Sequence, residues 1–152
     1  MIRFLRSVLI GYVLIIVVLS FLQRKLLFPA TRSDAMPVAQ ADWVAGVFPA
    51  AEDVAIQTED GLTIRGWLLR KTSNNDRPLV VYYHGNGGDR SMRGHWYNLL
   101  NQYGADVLAI DYHGYGDSDG APTEGTLEMD CRATLAYVTD CLLYTSPSPR
   151  DS

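Results

Sequence analysis

Five apolar residues, Leu79–Tyr83 (LVVYY), are followed at once by the glycine-rich segment His84–Gly88, and this junction limits the folds open to the chain. A short continuous apolar run is typical of a strand that is buried on both faces. Apolar residues then recur at helical spacing over residues 91–103, which predicts a helix. A strand that runs through a glycine loop into a helix is typical of proteins that alternate strands and helices.

The neighbouring segments extend this pattern into an α/β domain. Val54–Gln57 and Leu62–Leu69 have strand character and flank Asp60-Gly61, a turn signal, so they predict a hairpin. Val107–Asp111 predicts a second buried strand, and a helix is expected from about Thr126. Its apolar residues share one face: Leu127, Cys131, Leu135 and Val138. A hairpin followed by alternating strands and helices predicts a mixed sheet with a parallel core and flanking helices.

The N-terminus predicts a single membrane anchor over residues 1–28. Ser7–Leu22 carries no charge and is bracketed by arginines and a lysine. A helix of that length spans about 24 Å, so the apolar residues 26–28 are needed to cross the roughly 30 Å hydrocarbon core. A cleaved signal peptide is the alternative, but the A-x-A pattern at 39–41 lies far beyond the apolar run. Basic residues flank both ends; we expect the body to be periplasmic or extracytoplasmic.

Residues 29–53 predict a linker. Pro29, Pro37 and Pro49 lie among alanines and aspartates without any period. Such a composition is typical of an extended tether between an anchor and a folded domain. The domain itself is therefore expected over residues 54–140.

The C-terminal residues predict a non-native tail over 141–152. Cys141 to Asp151 reads CLLYTSPSPRD, which resembles the in-frame translation of a transposase adaptor used to prepare sequencing libraries. A natural Ser/Pro tail is the alternative. A translated adaptor is not part of the natural protein, so residues 141–152 are left out of the reasoning about the fold. We therefore expect the domain to be truncated near Asp140.

Charge and motifs exclude several classes of function. Residues 33–140 hold seven basic and 16 acidic residues, so a nucleic-acid backbone would be repelled. The two cysteines form no CxxC, and the three histidines have no metal-ligand spacing. The sequence contains neither of the glycine motifs that bind nucleotide phosphates, G-x-x-x-x-G-K-[ST] and G-x-G-x-x-G. We expect no metal, no cofactor and no nucleic-acid partner.

Four segments give the chain a resemblance to the α/β-hydrolases, in particular to membrane-anchored members related to serine aminopeptidases and acyl-protein thioesterases. They are the LLFP after the anchor, the TEDGLTIRGWLL hairpin, VVYYHGNGG, and AIDYHGYGDSDGAPTEGTLEMD. The resemblance covers roughly residues 26–140 and implies the N-terminal part of an α/β-hydrolase fold: an antiparallel hairpin that leads into a mostly parallel sheet, preceded by one transmembrane helix. His113 stands where these proteins commonly have arginine.

The resemblance implies a role for the glycine-rich loop. In this fold the loop after the corresponding strand supplies a backbone N–H to the oxyanion of a tetrahedral intermediate. That donor is expected to be Asn86, helped by Gly87. His84, Gly85 and Gly88 are expected to support the loop, with His84 buried and hydrogen-bonded. A strand-to-helix turn without a ligand is the alternative.

A literal G-x-S-x-G at residues 116–120 suggests Ser118 as a nucleophile, but its context argues against this role. A nucleophile elbow needs a strand that runs straight into the first glycine and a helix that starts at the serine. Here the strand ends near Asp111, and Pro122 delays the helix. We interpret the segment as a structural loop, with Asp111 fixing it by hydrogen bonds. His113 is expected on its surface.

The resemblance implies a serine hydrolase that cleaves an ester, thioester or amide in a small-molecule, lipid or acyl-peptide substrate. No triad member is expected within this chain, which should be inactive by itself. One alternative is a catalytically inactive relative that acts as a membrane-tethered binding or scaffold protein. A second is an enzyme of the same fold with an aspartate or cysteine nucleophile.

Overall fold

The computed structural model describes residues 1–34, 36–73 and 77–143. Its helices are α1 (Ile2–Leu27), α2 (Asp42–Val47), α3 (Gly94–Gln102) and α4 (Glu124–Tyr137). Its strands are β1 (Glu52–Gln57), β2 (Thr63–Leu69), β3 (Leu79–Tyr83) and β4 (Asp106–Asp111). Short 3-10 turns cover Val38–Gln40 and Arg90–Arg93, and a π-helical turn follows α4 at Val138–Leu143. The remainder of the predicted non-native tail lies outside the described residues.

The four strands form one mixed sheet in the order β1-β2-β4-β3. The hairpin β1–β2 is antiparallel, and β2 also pairs with β4 antiparallel. The crossover through α3 makes β3 and β4 parallel. The predicted antiparallel hairpin and mixed sheet are confirmed, and β3–β4 is the parallel pair among the described residues. β3 has one neighbour there, and its residues are only half-buried, whereas β4 is buried along its whole length.

Residues 29–53 are not the extended tether that their composition predicts. Four of their apolar side chains, Val38, Ala41, Val44 and Phe48, are buried in a cluster with residues of β2, β4 and α3. The indole Nε1 of Trp67 donates to the Met36 carbonyl (3.2 Å), and Asp53 accepts from the Val38 amide (2.8 Å). The sequence did not predict this packing because the helical elements between the prolines are too short to show a hydrophobic period.

Helices cover the two faces of the sheet. α2 and α3 lie over one cluster of core residues, which includes Tyr97. α4 lies over the other, where Ala133 and Tyr137 pack against the apolar side chains of β1, β2 and β4. The fully buried residues of α4 are polar, Asp130 and Thr134, whereas Cys131 and Leu135 are exposed. The apolar spacing along α4 therefore does not mark its buried face.

α1 is apolar between the basic residues near its two ends, and none of its residues is buried. Among the described residues, α1 is the one helix that is both long enough and apolar enough to cross a membrane. Its last turn carries Arg24 and Lys25, and the helix stops at Phe28 before Pro29. Arg24 Nε donates to the Pro122 carbonyl (3.1 Å), so the end of α1 touches the loop that precedes α4.

Candidate active site

The glycine-rich loop lies where β3 ends and opens into a cavity of about 310 Å³. His84, Gly85 and Asn86 form one side of this cavity. Side chains from the rest of the fold form the other sides: Leu27, Phe28, Tyr112, Tyr115, Leu127 and Cys131. The lining is mainly apolar, with the exposed loop backbone at one wall. A small apolar cavity with a few polar groups is the usual form of a ligand site.

Asn86 lines this cavity, and its side chain is held on both sides. Asn86 Nδ2 donates to the Leu27 carbonyl (2.8 Å), and Asn86 Oδ1 accepts from the Tyr115 hydroxyl (3.0 Å). The backbone N–H of Asn86 donates to no described residue, and the same is true of Gly87. The backbone N–H groups of Gly85 and Gly88 also donate to no described residue, so four consecutive amides of the loop, those of residues 85–88, are available as donors.

Gly87 has a backbone conformation that explains why glycine is needed there. Its φ of +88° lies in the left-handed region, which other residues rarely adopt. A Cβ at this position would meet nothing within 4 Å, so the requirement is conformational and not steric. Arg93 Nη2, from the turn that precedes α3, donates to the Gly87 carbonyl (2.5 Å). Gly87 does not itself line the cavity.

His84 is buried, with 3% of its surface exposed. Its Nδ1 lies 2.8 Å from the Gly85 carbonyl, within the loop that it was expected to support. Its Nε2 lies 3.2 Å from Asp111 Oδ1, outside hydrogen-bonding geometry. The ring packs edge-on against Tyr112 and Tyr115, which line the cavity. Burial raises the pKa of Tyr112 to about 12, so its hydroxyl stays protonated and donates to the His84 carbonyl (3.0 Å).

A buried ion pair fixes the loop from behind. The backbone N–H of Arg90 donates to Asp111 Oδ1 (2.7 Å), and its guanidinium binds the other carboxylate oxygen and Asp117. Burial acts to lower the pKa of the Arg90 guanidinium, but the two carboxylates outweigh it and raise the pKa. The guanidinium carbon also lies 5.1 Å from the centre of the Trp67 ring. Asp111 therefore fixes the loop after β3 as well as the loop that follows β4.

Ser118 has the structural role that its sequence context indicates. It is 1% exposed, and its hydroxyl donates to the Asp111 carbonyl (2.8 Å) while accepting from the Arg65 amide (2.8 Å). These bonds join the loop to the ends of β2 and β4. The preceding Gly116 fits because a Cβ there would overlap the Asp111 carboxylate.

His113 is fully buried, which contradicts the expectation of a surface position. Its ring Nδ1 and its backbone N–H both bind the Asp130 carboxylate, and its Nε2 lies 3.4 Å from Asp60 Oδ2. Burial raises the pKa of Asp130, while the hydrogen bonds from His113 oppose this. The loop after β4 folds inward over α4 because this pair replaces the water that each group would otherwise bind.

Sequence reasoning placed the loop residues together but missed the other walls of the cavity. Leu27 and Phe28 were assigned to the anchor alone, and Tyr115 was not singled out. Asn86 contacts Leu27 across 59 residues and Tyr115 across 29 residues, and contacts between such distant positions leave no local pattern in the sequence. No role was predicted for Arg90. An arginine directly after a strand-end loop, with an aspartate ending the next strand, was the available signal.

Comparisons of sequence give relatives in bacteria and in vertebrates. The chain is 40% identical over 118 residues to Rv2307c, an uncharacterised protein of Mycobacterium tuberculosis, covering 77% of this chain and 40% of that protein. It is 37% identical over 94 residues to the lysophosphatidylserine lipase ABHD12 of Danio rerio, covering 49% of this chain and 25% of that protein. No protein-family model matches the chain. The chain spans about 40% of the length of the Mycobacterium protein.

Comparisons of structure give the same fold. The Pyrococcus furiosus esterase Pf2001 is 25% identical, with a TM-score of 0.58 over 78% of this chain and 44% of that chain. An alpha-beta hydrolase from Vibrio vulnificus is 18% identical, with a TM-score of 0.53 over 74% of this chain and 46% of that chain. The sheet order and the loop after β3 define a protein of the α/β-hydrolase fold. The chain has this fold, and its sequence relatives and structural neighbours include α/β-hydrolases.

Proposed function

We propose that this chain is the N-terminal part of a membrane-anchored serine hydrolase that cleaves an ester, thioester or amide by way of an acyl-enzyme. The observation that carries the proposal concerns Asn86. Its backbone N–H donates to no described residue, and the residue lines an apolar cavity. Backbone donors held toward a developing oxyanion are worth about 3–4 kcal/mol each in acyl transfer. The solved esterase of the same fold supports this chemistry by analogy.

The residues for the remaining steps are proposed to lie beyond residue 140. In this reaction a serine attacks the carbonyl carbon, a histidine takes the serine proton, and a carboxylate orients the histidine. Within the described residues, Ser118 is engaged by two hydrogen bonds and His113 is enclosed by carboxylates. His84 supports the loop and is not the base. A second backbone donor would come from the residue after the serine.

The substrate is proposed to be a lipid, an acyl-peptide or another small molecule with an apolar acyl part. The mainly apolar lining of the cavity supports this choice, since it would stabilise an acyl chain by removing it from water. The relative named as a lysophosphatidylserine lipase supports a lipid substrate by analogy. The anchor α1 would keep the enzyme at a membrane surface, with its body periplasmic or extracytoplasmic.

Two glycines of the loop offer a matched test. A methyl group added at Gly85 or at Gly87 would meet nothing within 4 Å, but only Gly87 has a positive φ. In the gene product that includes the region after residue 140, Gly87→Ala should lower kcat toward a p-nitrophenyl acyl ester by about 10²-fold or more. Gly85→Ala should lower it much less. Equal effects of the two substitutions would contradict the proposed role of the loop.

The same assay separates the enzyme from its inactive alternative. A gene product with a serine at a strand-to-helix corner and a later histidine should hydrolyse the ester. If either residue is missing and no hydrolysis is measured, a membrane-tethered binding protein of the same fold is the better description.

A further inference from the structure

The end of the anchor helix is joined to the glycine-rich loop. α1 stops at Phe28, so the carbonyl of Leu27 lies in the last turn, where carbonyls have no partner within the helix. Asn86 Nδ2 donates to this carbonyl (2.8 Å), although 59 residues separate the two positions. A helix-end carbonyl is thus satisfied by the side chain of the residue whose backbone carries the proposed oxyanion donor.

Further contacts hold the same part of the chain against the domain. Arg24 Nε donates to the Pro122 carbonyl (3.1 Å). After the helix, Gly116 donates its amide to the Thr31 carbonyl (2.9 Å) and accepts from the Ser33 amide (3.0 Å). These bonds keep the last turn of α1 beside the cavity, where Leu27 and Phe28 form part of the wall. The helix therefore does not join the domain through a flexible segment.

We propose that the last turn of α1 positions the oxyanion loop, with the Asn86 side chain as the positioning residue that connects them. This inference rests on the proposed function of the loop. The Asn86 amide is held at both ends, by Leu27 and by Tyr115, so the backbone that it carries has little freedom to turn away from the cavity. Ordering of the donors before reaction is what makes them effective. The membrane anchor is then part of the site and not only an attachment.

Amide hydrogen exchange on the full chain in detergent micelles tests this. Asn86→Asp keeps the size and the acceptor oxygen but removes the donor to Leu27. The amides at residues 25–28 are hydrogen-bonded within α1, whereas those of Asn86 and Gly87 donate to no described residue, so the helix end is the segment that is measured. A hydrogen bond of the kind that Asn86 makes to Leu27 contributes about 0.5–1.5 kcal/mol, so exchange at residues 25–28 should accelerate by about twofold to tenfold. A merely local role of Asn86 would leave the helix end unchanged.

Controls decide between positioning and general loosening. Exchange in β4 should stay unchanged, and Asn98→Asp on the exposed surface of α3 should change neither segment. Arg24→Gln removes the second contact and should also accelerate exchange at residues 25–28, which provides a second variant if Asn86→Asp does not fold. Unchanged exchange at residues 25–28 in both variants, or equal acceleration in β4, would overturn the proposal. Neither result depends on hydrolysis, so failure here is distinct from failure of the proposed function.

Discussion

Arg90 and Asp111 form a buried ion pair in which both the backbone N–H and the guanidinium of the arginine bind one carboxylate. Asp111 is fully buried, and the Arg90 side chain is 5% exposed. The pair joins the loop after β3 to the end of β4, directly behind the residues proposed to bind the oxyanion.

Replacing Asp111 by asparagine should destabilise the domain by about 3–5 kcal/mol. The change breaks the fully buried ion pair and leaves Asp117 as the remaining carboxylate partner of the Arg90 guanidinium, and breaking a buried pair is costly. Urea denaturation followed by tryptophan fluorescence measures the loss. Asp117→Asn removes the other, partly exposed partner and should cost about 1 kcal/mol. A loss as small for Asp111→Asn would show that the pair does not fix the loop.

Phe48→Ala tests whether residues 29–53 belong to the core. Phe48 is 1% exposed, so its truncation should cost about 3–5 kcal/mol of stability through lost burial and an unfilled cavity. Asp42→Ala, on the exposed side of α2, should change stability by about 0.5 kcal/mol or less. Both values come from the same denaturation experiment. Similar small losses for the two variants would show that residues 29–53 are an extended linker, as their composition predicts, and not part of the core.

Asp89 should make the stability of the domain depend on pH in acid. Burial acts to raise the pKa of the Asp89 carboxyl, but hydrogen bonds from the Ser91 hydroxyl and amide outweigh it and lower the pKa below its usual range. A group whose pKa is lowered on folding stabilises the protein above its unfolded pKa, and this stabilisation is lost as the pH falls below about 4. Denaturation at pH 7 and at pH 3 should therefore show a smaller difference for Asp89→Asn than for the unchanged chain. An equal difference for both would contradict the assignment.

Ser118→Ala should destabilise the domain by about 1–3 kcal/mol. The substitution leaves the half-buried Arg65 amide of β2 and the buried Asp111 carbonyl at the end of β4 without their partner. Exposed Ser73→Ala is the control and should have little effect. Thermal denaturation monitored by circular dichroism measures both. If Ser118→Ala is as stable as the unchanged chain, Ser118 does not have the structural role, and a role as nucleophile has to be considered again.

The sequence indicated the strands and the loop well because each has a strong local signal. The predicted bounds of β3 match the observed ones, and those of β4 differ by one residue. The buried faces of α3 and α4 were harder to infer, because Tyr97 and Asp130 are buried for reasons of tertiary pairing. Asp130 is buried because His113 reaches it from a different loop, which periodicity does not record.

The candidate site was partly predictable for the same reason. Asn86 and His84 follow directly from the strand-end loop, and His84 is buried as expected. The roles of Leu27, Phe28 and Tyr115 depend on contacts between distant parts of the chain. Such contacts are set by how α1 ends against the sheet, and no spacing within the sequence expresses them.

Covalent labelling of the whole gene product with a fluorophosphonate, followed by peptide mass spectrometry, tests the proposed hydrolase most directly. We predict one modified serine, located after residue 140 at a strand-to-helix corner, and a marked loss of its labelling in Gly87→Ala. Labelling at Ser118, or an unmodified protein that carries no such serine, would contradict the proposal.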